Sequence, residues 1–195
     1  MANASLRLAP PRLTRDALNN KHWVLANDGG YILASEHNLH SSDLPASFFS
    51  IIAHVEELDD TPIPESYRPA FMNTYKLRLG PSSVPERARS FLESIRALQL
   101  LQDNLGPDIS VDSPINNDST SVHLQLNVPI ANNEGGVTAI PLTLFDDTAK
   151  ILPLTEHMHR FLHADVDFMV VLRQFISAPA VRQIRAYTQL ARLCV

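Results

Sequence analysis

The densest cluster of chemically capable side chains in the sequence is Glu156, His157, His159, His163, Asp165 and Asp167. On a helix, His159 and His163 stand at i and i+4, so their imidazoles share a face and can chelate a divalent metal. Glu156 and Asp167 fall on the same stripe at helical spacing. The stripe lies opposite the apolar residues Met158, Leu162, Leu172 and Ile176, and so reads as a solvated helix face. Two histidines without a third ligand fixed by spacing specify no metal. His37 and His40 complete a set only if the fold brings them to His159. His159, His163 and Glu156 therefore stand as weak metal candidates, and no cofactor is expected.

The second chemical feature is cationic. Residues 1 to 21 carry Arg7, Arg12, Arg15 and Lys21 against Asp16, and residues 169 to 195 carry Arg173, Arg182, Arg185 and Arg192 with no acid. Both ends are basic within a chain of net charge −5, which leaves the middle strongly acidic. Such ends can bind a polyanion or dock on the acidic body of a neighbouring copy. Arg182 and Arg185 share a face of an expected last helix, with Tyr187 and Gln189 nearby, an arrangement suited to phosphate contacts. The acidic pairs Glu56-Glu57, Asp59-Asp60 and Asp146-Asp147 read as hydrated loop residues beside turn-forming neighbours.

Common catalytic signatures are missing: there is no glycine-rich phosphate loop, no Gly-x-Ser-x-Gly, no His-Glu-x-x-His and no cysteine pair. Cys194 has no partner for an intrachain disulfide, and no apolar run approaches the length of a transmembrane helix. A location inside the cell, or within an assembled particle, is expected.

Several elements must position these residues. Ser83 and Glu86 form a Ser-x-x-Glu capping box, Pro85 suits the first turn and Gly106-Pro107 supplies a stop, so a helix is predicted over 84–105. Leu44, Phe48, Ile51, Ile52, Val55 and Leu58 fit a 3.6-residue period, predicting a helix over 44–58 with Asp43 as cap. The same period links Leu154, Met158, Phe161, Leu162, Met169, Leu172 and Ile176 over 153–177, and a last helix follows Pro179 to about residue 193. Strands are predicted over 22–26 and 31–35, joined through Asn27-Asp28-Gly29-Gly30. Another hairpin pairs 121–129 with 137–145, pushed to an edge by Pro129 and Pro141, and Tyr75, Leu77 and Leu79 mark a short strand.

Together these predict an α+β fold of antiparallel hairpins packed with about four to five helices and a helical C-terminal third. Residues 1–20 read as an extended basic arm and 21–195 as one domain. The low share of charged residues and the many prolines point to a non-enzymatic structural or assembly subunit of a larger oligomer, for which a virus capsid or coat component is a fitting example. Self-association or other protein subunits are the expected partners, with no membrane. The alternatives are a metal-dependent enzyme using the cluster around 156–167, and a nucleic-acid-binding module using Arg7, Arg12, Arg15, Arg182 and Arg185.

Overall fold

The computed structural model describes residues 10–26, 29–35, 46–59, 74–118, 120–129, 131–132, 138–139 and 142–194. The strands in chain order are β1 (Lys21–Leu25), β2 (Tyr31–Ser35), β3 (Phe48–Asp59), β4 (Thr74–Gly80), β5 (Ser110–Asp112), β6 (Ile115–Asn117) and β7 (Val122–Pro129). Then come β8 (Ala131–Asn132), β9 (Thr138–Ala139), β10 (Thr143–Phe145), β11 (Ile151–Leu152), β12 (Asp165–Ala178) and β13 (Val181–Leu193). The described α-helices are α1 (Pro85–Asp103) and α2 (Leu154–Phe161).

Five strands close a ring. β3 pairs antiparallel with β4, β4 with β7, and β12 with both β3 and β13. The ring is sealed by a parallel contact, in which Ala186 and Tyr187 of β13 lie beside Leu126 and Asn127 of β7. A three-stranded meander closed by a hairpin whose last strand runs parallel to the meander's third is the Greek-key connectivity of the OB fold. Successive side chains on a strand point to opposite faces, so alternate residues fill the barrel. Phe49, Ile51, Ala53 and Val55 on β3, Leu77 and Leu79 on β4, and Leu124, Leu126 and Val128 on β7 are fully buried. Val166, Phe168, Val170 and Leu172 on β12, with Ile184 and Ala186 on β13, complete the interior. Helix α1 packs on β3 and adds Phe91, Ile95, Leu98 and Leu101 to the same core. Phe161 of α2 meets Phe168 edge to face, with ring centroids 6.3 Å apart.

The ring is extended at its flanks. β2 pairs with β12 through Arg173 and Gln174, β1 pairs with β2, and β5 runs parallel to β13. β6 adds to β7, β10 runs parallel to the end of β13, and β11 pairs with β10. β8 and β9 form a separate two-stranded ladder.

The α+β expectation is corrected, because strands dominate the described residues, two of the predicted helices are strands and a third is helical only in its first part. Residues 48–59 form β3, whose buried positions recur every second residue, and the Asp43 cap lies outside the described residues. The predicted helix over 153–177 stops at Phe161 and gives way to β12, while 181–193 is β13. These segments are rich in Val, Ile and Phe, which suit a pleated ladder better than a helix. Helix α1 was legible, but its start differs: Val84 occupies the N-cap position without a side-chain cap, and Ser82, not Ser83, accepts the Val84 N–H. The hairpin β1–β2 matches its prediction to within a residue. β7 also forms where its alternation placed it, yet it pairs with β4 and β13 inside the ring, while the described residues of 137–145 pair with β8, β13 and β11. Pro129 is tolerated because it ends the strand.

Candidate nucleic-acid interface

β12 organises the outer surface, because its odd-numbered residues face away from the barrel interior. Asp165 and Asp167 come first. Asp165 accepts from Ser82 Oγ and from Arg87 Nη1 at 3.0 Å, and lies 3.2 Å from His54 Nδ1. Burial alone would raise its pKa, but these hydrogen bonds outweigh burial and hold the carboxyl below its ordinary value. Asp167 takes Arg12 at 2.9 Å on one oxygen and Arg192 at 3.1 Å on the other, and Ser50 bonds both Arg12 and Asp167. The segment before β1 is thereby strapped across β3, and Leu13 is wholly buried.

Further along β12 the outer face changes character. Register places Val171 between Phe48 of β3 and Tyr187 of β13, and Tyr187 beside Asn127 of β7, itself opposite Lys76 of β4. Together with Met169 and Arg173, the residues Phe48, Val171 and Tyr187 line an open groove of about 480 Å³. Phe48 is nearly half exposed. The Arg173 guanidinium sits 5.1 Å above the Phe175 ring, a cation–π contact at the groove's end. Gly30, in the turn between β1 and β2, makes room for both: a Cβ there would lie 2.8 Å from the Phe175 ring and 3.1 Å from the Arg173 guanidinium.

A third cluster occupies the outside of β3, β4 and β7. Arg78 reaches Glu56 and Asp118 at 3.2 Å each, and His123 lies 2.8 Å from a carboxylate oxygen of each. Gly80 permits this, since a Cβ there would fall 2.0 Å from Glu56 Oε1. Asp118 also caps a turn, accepting from the backbone of Thr120 and Ser121 as well as from His123, and its carboxyl is held far below the ordinary range.

The residues singled out from sequence are dispersed. Arg7, His37 and His40 lie outside the described residues. Arg12 is held by Asp167; Arg15 is exposed beside a groove lined by Asp16, Glu93 and Arg96. Arg182 and Arg185, three apart on a strand, point to opposite faces. Arg182 donates to the carbonyls of Ala178, Pro179 and Val181 at the hairpin tip, and Arg185 bonds the carbonyl and carboxylate of Asp112. Glu156 and His159 are exposed on α2, whereas His163 lies past the helix end with a φ of 65°, so the shared face of His159 and His163 does not form. Among the described residues no group of three or more His, Cys, Asp or Glu could hold a metal ion, and no described helix is long and apolar enough to cross a membrane.

Sequence reasoning missed Phe48, Met169, Val171 and Arg173 as site residues, and met Tyr187 only as a neighbour of arginines. The signal for them was the apolar content of β12 and β13 at outward positions, visible once period two is imposed.

No family model matches the chain, and no curated protein matches it. Solved structures similar to it include gp2.5, a single-stranded DNA binding protein encoded by bacteriophage T7, at 12% identity and a TM-score of 0.45, covering 75% of this chain and 90% of that one. The single-stranded DNA-binding protein from bacteriophage Enc34 is similar at 9% identity and a TM-score of 0.44, covering 89% of this chain and 88% of that one. The same protein in complex with ssDNA gives 8% identity and a TM-score of 0.43, covering 90% and 96%.

The expectation of a structural, capsid or coat subunit is corrected. It required basic ends free to reach the acidic body of another copy, but Arg12, Arg185 and Arg192 are held by carboxylates of their own chain.

Proposed function

We propose that this protein binds single-stranded nucleic acid in the groove between Phe48, Val171, Tyr187 and Arg173. The observation that carries the reading is an aromatic and apolar groove, open to solvent, on the outside of an OB barrel. Such barrels bind oligonucleotides and oligosaccharides across an outer face beside the loop joining their last two strands. Here that loop is the tip of the β12–β13 hairpin, and the groove runs along the same hairpin. Unpaired bases expose π-faces that stack on aromatic rings, and a guanidinium stacks on bases and pairs with phosphate. A duplex keeps those faces covered, so the site selects unpaired strands.

The reading relocates the interface from the basic ends to the barrel face. Titrating the full chain into fluorescein-labelled oligothymidylate, with fluorescence anisotropy as readout, tests it. Saturable binding is expected, at least tenfold weaker in the Phe48→Ala/Tyr187→Ala double variant and for a duplex of the same length. Equal binding by that folded double variant, or displacement by a neutral oligosaccharide but not by unlabelled oligothymidylate, would overturn it.

A further inference from the structure

Strand β13 changes neighbours inside the groove. Tyr187 lies beside Asn127 of β7 and Leu190 beside Thr143 of β10, so the sheet forks between these two positions. On the other side of β13, Leu190 pairs with Met169, while Thr188 pairs with Val170, the next residue of β12, which leaves Gln189 as an extra residue with none opposite. A bulge of this kind breaks the alternation of a strand and re-aims a side chain. Thr188 pins it: the residue is buried, and its hydroxyl lies 2.8 Å from the Met169 carbonyl oxygen and 3.0 Å from that of Leu190. Gln189 is exposed at the fork and lines the groove together with Tyr187, with Pro129 where β7 ends and with Thr143 where β10 begins.

Resting on the single-strand reading, we infer that the Gln189 carboxamide reads the Watson–Crick edge of a base stacked on Tyr187. A carboxamide presents a hydrogen-bond acceptor and a donor side by side. The Watson–Crick edge of every base carries a donor next to an acceptor, in thymine the ring N–H beside a carbonyl oxygen. By turning its amide over, Gln189 can therefore make two hydrogen bonds to any of them. The contact tolerates any sequence but not pairing, because in a duplex the same edge is taken by the opposite base. Stacking on Tyr187 engages the π-face of the base, and Gln189 tests whether its edge is open.

The experiment uses the full chain and two probes of equal length, oligothymidylate and its analogue built from 3-methylthymidine, in which a methyl group replaces the edge proton and leaves the π-face in place. The unaltered protein should bind the methylated probe about five- to thirtyfold more weakly, the loss expected for two neutral hydrogen bonds. Gln189→Leu keeps the bulk of the side chain and removes its amide. That variant should bind both probes alike, at the level of the unaltered protein on the methylated one, and should keep its melting temperature because the residue is exposed. Equal binding of the two probes by the unaltered protein, or a preference that survives in folded Gln189→Leu, would overturn the inference while leaving the single-strand reading in place. Failure of both probes to bind the folded protein would overturn the two together.

Discussion

The two halves of β12 share a strand and an outward face but not a chemistry. The first half presents Asp165 and Asp167, each meeting partners from distant parts of the chain: helix α1 and β3 for one, the N-terminal segment and the end of β13 for the other. The second half presents Met169, Val171 and Arg173, which line the groove. Charge at one end closes the molecule on itself, and apolar surface at the other end stays open to solvent. Basic residues are thus poor guides to the interface here, because most of the described ones are engaged within the chain.

The comparison breaks most severely through the interior that both halves share. Phe168→Ala should cost about 3 to 5 kcal/mol, because a wholly buried ring against Phe161 leaves a cavity. Thermal unfolding and oligonucleotide binding should fall together. Next, Asp165→Ala should lower stability by about 2 to 3 kcal/mol in a denaturant titration, since Arg87 and Ser82 lose a charged acceptor in a half-buried setting. Binding by the remaining folded protein should not change. Tyr187→Ala should do the reverse: about 1 to 3 kcal/mol lost in binding for a stacked base, with a smaller loss of stability than Asp165→Ala. A Tyr187 variant that unfolds without altering binding would erase the distinction between the halves.

The smallest effect is one of pH. Asp165 has a folded pKa below its unfolded value, so its contribution is present above the ordinary carboxylate pKa near about 4 and is lost as pH falls through the lower folded value. Melting temperature should drop across that acid window, and the drop should be shallower in Asp165→Asn. A profile unchanged by that substitution would remove Asp165 from the explanation.

The same contrast explains what was legible in the sequence. β7 could be read because its outward residues His123, Gln125 and Asn127 are polar, so period two stood out. β12 and β13 could not, because Met169, Val171, Phe175, Tyr187 and Leu190 are outward yet apolar or aromatic, which erased the alternation and let a helical period fit. The groove concealed the strands that build it. β3 was lost the same way, through Phe48 and Ile52. Helix α1 survived because Pro85 and the stop at Gly106 bound a run with one apolar stripe. The ring closure was not legible at all, since the β7–β13 contact joins residues some sixty positions apart.

The strap at Asp167 holds the segment before β1 against the end of β13. Pro10 and Arg192 line the same small cavity, so the path into the barrel and the path out of it meet at one doorway, beside Phe145. A domain whose entrance and exit coincide can be seated within a loop of a host protein without stretching either chain. A short linker can equally join the end of β13 directly to Pro10, with new ends opened at Pro179-Ala180, the exposed turn between β12 and β13. Such a circular permutant keeps all five ring strands whole.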